Sequence, residues 1–354
     1  MWRAALLAGL AATAGILATD ASVAGQEQNR SEYIVFRVDG THAIATIKVF
    51  DTAARQITDG LSAEPAARFG FQSFELPTDW RDRVPNGIQP SARWLIQTAP
   101  GKTVQATAER IVGGQLGCVD AIGVLLGIDA EQAEYFSALP ARYFLGQQST
   151  SPPPSTLPPG PAVRLIRSPS NDGFRRALES TLNELLVREL PAIRAEAEPD
   201  LERMASSSVN YHRSWARERR ALDEATGRGE GKLTYDIQSF RLSPDAVPIH
   251  FVRAQWMVRG RQGFAATLWL RGAQSLEVVE QNVRPASWLH MFEFFRGGVA
   301  REHLGLILNV FDRNQDGWGE LLMAHGGYES MAISLVEYSA SGFRPTGIEY
   351  AYGC

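Results

Sequence analysis

The stretch DRNQDGWGE at residues 312–320 decides how the C-terminal part of this chain is organised. Apolar, β-prone residues precede it (Leu306–Phe311) and follow it (Leu321–Ala324), which predicts that it is the turn of a β-hairpin. Oxygen-bearing side chains fall at turn positions one, three, five and nine, and glycine stands at position six. This spacing can wrap one chain around a hard cation that prefers about six to eight oxygen ligands.

We therefore predict a calcium site in this loop. The expected ligands are the side chains of Asp312, Asn314, Asp316 and Glu320 and the backbone carbonyl of Trp318. Gly317 permits the sharp turn that returns the later ligands to the ion. Three carboxylates in one small loop repel each other, and a bound cation would convert that repulsion into structure. The alternative is a tight polar hairpin whose Asp and Asn side chains cap their own backbone without a metal.

The loop does not fit an EF-hand, because Met323 stands where that motif needs a bidentate glutamate. It resembles the calcium loops of FG-GAP, integrin-type β-propeller repeats, in which a strand leads into a D-x-[DN]-x-D-G-x-x-[DE] turn and out into a second strand. The resemblance covers about residues 303–350 and implies the same five calcium ligands. Gln315 departs from the glycine common at the fourth position. Propellers of this family mostly mediate adhesion or partner binding, so the resemblance favours binding over catalysis.

The region 231–354 is predicted to be an antiparallel β domain made of two propeller-blade-like four-stranded units. Each unit follows the order strand, turn, strand, strand, strand. In the first unit the turn is residues 243–248, which is short of metal ligands. The predicted strands are 232–242, 249–258, 264–270 and 275–282, and then 303–311, 320–325, 331–338 and 347–350. A full propeller needs several such units, so that fold is not predicted.

Residues 26–146 are predicted to form a strand-rich N-terminal domain, which makes the whole chain α+β and mainly antiparallel β. The predicted strands are 33–38, 42–50, 69–76, 92–98 and 103–112. Asp39-Gly40 between the first two is a strong hairpin signal. Asp129 with Gln132 is typical of a capping pair that opens a short helix.

Residues 147–163 are predicted to be a Pro-rich linker, because QQSTSPPPSTLPPGP favours extended polyproline geometry. A long surface loop within one domain is the alternative. Residues 164–230 are predicted to be a helical segment. Apolar residues there recur at spacings of three and four: Phe174, Leu178, Leu182, Leu185, Leu186 and Leu190. We expect Ser170 or Asp172 to cap this helix and Pro191 to end or kink it.

Residues 1–25 are predicted to be a signal peptide. Arg3 precedes the apolar run Ala4–Ala18, and small residues follow up to Gly25. The run is shorter than the roughly 20 apolar residues of a membrane span. We therefore expect a periplasmic or secreted protein that is not an integral membrane protein after cleavage. An uncleaved N-terminal anchor is the alternative.

The two cysteines, Cys118 and Cys354, both lie in the predicted exported part. In an oxidising compartment they are expected to form an intramolecular disulfide. The alternative is two free thiols, or one thiol that pairs with another molecule.

The composition is that of an ordinary globular protein. The net charge of −4, without long blocks of like charge, disfavours a nucleic-acid partner. No acyl-transfer serine elbow and no His-Glu-x-x-His zinc signature is present. Four tryptophans of the C-terminal region would stack a ligand if exposed and fill a core if buried: Trp256, Trp269, Trp288 and Trp318.

We therefore expect a non-catalytic, calcium-stabilised binding protein with an unknown protein or glycan ligand. The alternative function is a secreted or periplasmic hydrolase that acts on a glycan or a cell-wall polymer. A cleft that holds two carboxylates would favour the hydrolase. An exposed aromatic patch on a flat surface would favour the binding protein.

Overall fold

The computed structural model describes residues 32–50, 72–116, 119–149, 163–206, 224, 232–245, 247–258, 261–273, 275–285, 305–313, 316–326 and 330–353. The predicted signal peptide, most of the Pro-rich linker, Asn314, Trp288 and both cysteines lie outside these residues. The predicted fold class is confirmed, since the described strands pair antiparallel in three sheets joined by few helices.

The N-terminal region is a closed six-stranded barrel. Its strands are β1 (Glu32–Arg37), β2 (His42–Phe50), β4 (Arg93–Ala99), β5 (Lys102–Leu116), β6 (Val119–Ile128) and β7 (Tyr143–Gln148). They pair in the order β1-β2-β6-β5-β4-β7, and β7 pairs back with β1. A seventh strand, β3 (Gln72–Glu75), pairs with the distal part of β5. Closure leaves the six strands without a free edge.

Alternate side chains fill the barrel. Small and β-branched residues such as Val35, Ala45 and Val104 share this core with Trp94 and Phe144. The strands β6 and β7 were missing from the prediction. β6 is a nearly continuous apolar run that is buried on both faces, so it lacks the alternation that marks a half-buried strand.

The short helix after β6 is confirmed as α1 (Ala130–Ala138), but its predicted capping pair is wrong. The Asp129 side chain makes no capping hydrogen bond and instead accepts two from Arg93 Nη1 at 3.0 and 3.1 Å. Gln132 Oε1 accepts the backbone N–H of Gln105 at 2.6 Å. Both side chains therefore join the helix to barrel strands.

The C-terminal region contains the two predicted four-stranded meanders. The first sheet consists of β9 (Lys232–Arg241), β10 (Pro248–Val258), β11 (Arg261–Arg271) and β12 (Glu277–Pro285), with β8 (Arg164–Ile166) added beside β9. The second sheet consists of β13 (Leu306–Phe311), β14 (Glu320–Gly326), β15 (Ser330–Ser339) and β16 (Gly342–Gly353).

The predicted amphipathic helix is α2 (Asp172–Ser206). Its cap is Asn171, whose Oδ1 accepts the N–H of Phe174 at 2.8 Å, so the prediction of Ser170 or Asp172 was wrong. The helix also continues past Pro191. A proline inside a helix removes one hydrogen bond and costs about 3 kcal/mol, which a long helix can absorb without ending. Beyond residue 206, the predicted helical segment lies almost wholly outside the described residues.

Four layers stack in the molecule. The apolar face of α2, including Leu178 and Leu182, packs on the first sheet. The other face of that sheet packs on the second sheet through a shared core that contains Phe251 and Leu321. The second sheet packs with its opposite face on the outside of the barrel. Asn309 reinforces this last contact, because its Nδ2 donates to the Tyr143 carbonyl at 2.9 Å.

The tryptophans mostly belong to these cores. Trp256 and Trp269 are each 6% exposed, so the alternative that they fill a core is confirmed for both. Trp318 is half-buried, with its ring centroid 5.9 Å from that of Tyr338.

Candidate metal centre

The predicted calcium loop, hereafter the acidic loop (residues 312–319), connects β13 to β14. Phe311 and Glu320 form the last strand pair before it, so Asp312 is the first residue of the turn and Glu320 begins the returning strand. Asp312 is 0% exposed and Glu320 is 1% exposed. The hairpin therefore places two carboxylate side chains in the interior, where a charge is costly unless it is paired.

The electrostatics of Glu320 show how close these acids lie. Its pKa is raised to about 7, chiefly because the side chain is buried, and the charges of Asp312 and Asp316 raise it further. Arg313 opposes this shift: its backbone N–H donates to Glu320 Oε2 at 2.9 Å, and its Nε lies 3.7 Å from Oε1. Three of the predicted ligands thus share one electrostatic environment.

The centre of the turn also has features of the metal-free alternative. Gly317 has a φ of 88°, which confirms the need for glycine at position six. The N–H of Trp318 donates to Asp316 Oδ1 at 2.8 Å, so Asp316 caps the backbone of its own turn. Within the part of the chain that the structure describes, no three His, Cys, Asp or Glu side chains form a ready metal-binding group.

The acidic loop contacts all three β structures. The N–H of Gly319 donates to the Leu242 carbonyl of the first sheet at 2.8 Å, and its carbonyl accepts the N–H of Tyr338 at 2.9 Å. Gln97 Nε2 of the barrel donates to the Asp312 carbonyl at 3.3 Å. Arg313 Nη1 pairs with Glu32 of β1 at 2.6 Å. The loop is thus a junction between the barrel and both sheets.

A cleft between the start of α2 and β9 is a second candidate site, hereafter the α2–β9 cleft. It has a volume of about 450 Å³, and Ser168, Arg175, Glu179, Tyr235 and Asp236 are among its lining residues. Glu179 Oε1 accepts the Tyr235 hydroxyl at 3.0 Å. The carboxylate of Asp236 is hydrogen-bonded by Arg253.

A chain of hydrogen bonds leads from this cleft into the interior. Ser168 Oγ lies 2.9 Å from Ser239 Oγ, which lies 2.8 Å from His250 Nδ1, and His250 Nε2 lies 2.8 Å from the Gly272 carbonyl. Because that carbonyl can only accept, Nε2 carries the proton in neutral His250. Burial lowers the pKa of His250 and favours this neutral form.

The sequence did not predict the α2–β9 cleft. It forms where the first turns of a helix meet a strand that lies about 56 residues further along the chain, as the bond between Glu179 and Tyr235 shows. No local spacing marks such a pair. The one available signal was that the amphipathic helix must pack on some sheet of the following β region.

Comparison of the chain with known protein families, curated proteins and solved structures gives no match. The FG-GAP resemblance therefore stays a prediction that depends on residues 312–320. Within the described residues, no helix combines the length and apolar character needed to cross a bilayer.

Proposed function

We propose that this chain is an exported binding protein without catalytic activity, stabilised by calcium in the acidic loop. The supporting observation is the burial of Asp312 and Glu320 together at one turn, where burial, aided by the charges of Asp312 and Asp316, raises the pKa of Glu320 to about 7. Buried carboxylates must be neutralised by a proton, by a basic side chain or by a cation. At neutral pH outside the cytoplasm, calcium is suited to this role.

The ion would be a structural element. Asp312, Asn314, Asp316 and Glu320 would hold it with side-chain oxygens, and Trp318 would contribute its carbonyl. Its charge would offset the mutual repulsion of the carboxylates. An affinity of roughly 10⁻⁴–10⁻³ M, typical of extracellular calcium modules, fits such a role.

The position of the loop supports a structural rather than a catalytic role for its acids. Asp312 and Glu320 are buried between layers, where a substrate could not reach them. The loop also touches the barrel through Gln97 and the first sheet through Leu242. An ion there would hold together the barrel and the two sheets, the framework on which we propose that a protein or glycan binds.

Calorimetric titration of residues 26–354 with calcium tests this proposal. We expect one binding event in the wild type, its loss in Asp312→Ala and its retention in Asp245→Ala, which removes the acid of the β9–β10 turn. Asp316→Asn, a milder change at an exposed residue, should weaken binding if Asp312→Ala fails to fold. Wild-type protein that takes up no calcium would contradict the proposal.

The hydrolase alternative has one observation in its favour: Glu179 and Asp236 line the same cleft. In such a reaction Glu179 and Asp236, the latter held by Arg253, would be the two carboxyl groups that flank the glycosidic bond. Release of reducing ends from peptidoglycan or chitin by the wild type, and its loss in Glu179→Gln, would establish this function. Absence of release from both polymers would remove it.

A further inference from the structure

The α2–β9 cleft shares no residue with the acidic loop, so a ligand here goes beyond the proposed calcium site. Its volume of about 450 Å³ lies within the range of roughly 300–1,000 Å³ that is usual for sites of small molecules. Polar side chains line it together with apolar Phe174 and Ile237. The polar groups that are not already hydrogen-bonded within the protein determine which ligand chemistry the cleft can recognise.

Two of the polar groups are engaged by the protein itself. The carboxylate of Asp236 is neutralised by Arg253, a side chain that is 8% exposed. Ser168 belongs to the hydrogen-bond chain to Ser239 and His250. These groups shape the wall of the cleft and leave it without a net charge of their own.

Two charged groups of the cleft, Arg175 and Glu179, can still form hydrogen bonds or ion pairs with a ligand. In the described part of the chain, no side chain or carbonyl forms a hydrogen bond or ion pair with the exposed guanidinium of Arg175. Glu179 accepts the Tyr235 hydroxyl through Oε1, and Oε2 has no hydrogen-bond donor among the described residues. Residues four apart on a helix are neighbours. Arg175 and Glu179 nevertheless do not pair with each other, because the carboxylate turns to Tyr235.

We propose that the α2–β9 cleft binds a small zwitterion of the α-amino-acid class. The ligand carboxylate pairs with Arg175, whose planar guanidinium suits bidentate contact with a carboxylate. The ligand ammonium donates to Glu179, and the Tyr235 hydroxyl holds that acceptor in place.

A ligand with one kind of charge fits this pair of residues less well. A simple anion would meet the charge of Glu179, and a simple cation would meet that of Arg175. A neutral sugar would leave both charges without a counterion. A zwitterion, whose two charges are held on one carbon, complements both residues at once.

Saturation-transfer NMR on residues 26–354 tests the proposal with four probes: L-serine, lactate, ethanolamine and glucose. These supply both charges, the carboxylate alone, the ammonium alone and neither charge. We expect transfer to L-serine to be the strongest. Loss of a charge-assisted hydrogen bond weakens binding by about ten-fold or more. Arg175→Gln and Glu179→Gln should each reduce binding of L-serine by that amount.

Two control variants lie on the same helix outside the cleft. Arg176→Gln and Glu184→Gln remove one charge of each sign from exposed positions and should leave binding of L-serine unchanged. Absence of transfer to L-serine, or equal loss in Arg175→Gln and Arg176→Gln, would overturn the proposal. Transfer to glucose that survives Arg175→Gln would overturn it in favour of a glycan site.

Discussion

The turn between β9 and β10 (residues 242–247, of which Ala246 lies outside the described residues) and the acidic loop between β13 and β14 occupy equivalent places in the two meanders. Phe240 pairs with Ile249 in the first sheet as Val310 pairs with Leu321 in the second. All four side chains enter the same core. In this alignment Leu242 of the first turn stands where the second has Asp312.

The two turns differ in how their acidic side chains are paired and in the direction in which the pKa values of these side chains shift. In the first turn, Asp245 accepts hydrogen bonds from Ser243 and from Arg271, the latter at 2.6 Å, and the Ser243 bond is the main cause of its lowered pKa. In the second turn, burial dominates and the pKa of Glu320 rises. The acid of the first turn is paired at the surface with Arg271 of β11, whereas the second turn buries two acids, for which we propose an external cation. Under that proposal, similar hairpins end either in a turn paired within the protein or in an ion site.

The common core of the two sheets gives the largest expected effect. The Trp269 ring lies 4.6 Å from that of Phe251 in its own sheet and 4.3 Å from that of Phe343 in the other. Trp269→Ala should lower the free energy of unfolding by about 3–5 kcal/mol, because a large cavity opens between the sheets. Urea unfolding monitored by circular dichroism measures this loss. Trp269→Phe is the matched control and should lower the free energy of unfolding much less.

The free energy of unfolding should change with pH in opposite directions for the acids of the two turns. The folded-state pKa of Glu320 lies above its ordinary value of 4.5, so the protonated form is favoured by folding. In chelator, the contribution of Glu320 to the free energy of unfolding is greatest below pH 4.5. As pH rises towards 7, about 3 kcal/mol of this contribution is lost. Asp245 has the opposite sign: its lowered pKa stabilises the fold above pH 3.8, and this contribution is lost as pH falls.

Urea unfolding in chelator between pH 4.5 and 7.5 measures the Glu320 effect. Comparison of the wild type with Glu320→Gln isolates it from His250, whose lowered pKa makes its contribution fall below pH 6.5. If the difference in unfolding free energy between the two proteins does not change with pH, Glu320 does not titrate in this way.

The contact between the two turns depends on the absence of a side chain at Gly319. A Cβ at this position would lie 2.8 Å from Leu242 Cδ2 and 3.1 Å from Val163 Cγ1. Gly319→Ala should therefore push the turns apart and lower the free energy of unfolding by about 1–3 kcal/mol. Ser341→Ala, in an exposed turn of the second sheet, provides the control in the same urea titration. Equal stability of the two variants would show that the turns do not need this close approach.

The smallest expected effect belongs to the first turn. Asp245→Asn removes an ion pair with Arg271 whose side chains are about 40% exposed. Exposed ion pairs contribute roughly 0–1 kcal/mol, and salt screens them. We expect the free energy of unfolding to fall by an amount within that range, and the difference to shrink as salt is added. A decrease as large as that of Trp269→Ala would mean that the first turn depends on Asp245 for far more than a surface ion pair.

The hairpins were predictable because apolar, β-prone runs stand between clear turn residues, as in Leu321–Ala324 after Gly319. The closed barrel was not, since its closure joins strands without a local signal and β6 lacks alternation. Within the site, the spacing predicted a turn with glycine at Gly317 but not the burial of Asp312 and Glu320. That burial depends on distant contacts, such as Arg313 with Glu32, 281 residues apart. The predicted caps failed because Asp129 and Gln132 find tertiary partners that the local pattern does not reveal.

Thermal unfolding of residues 26–354 in ~10 mM calcium and in chelator is the most direct test of the cation site. For an affinity of 10⁻⁴–10⁻³ M, calcium should stabilise the fold by about 1.4–2.7 kcal/mol and raise the midpoint by a few degrees. Asp312→Leu, which gives the acidic loop the residue of the first turn, should unfold at one temperature in both buffers. A wild-type midpoint that chelator leaves unmoved would contradict the account.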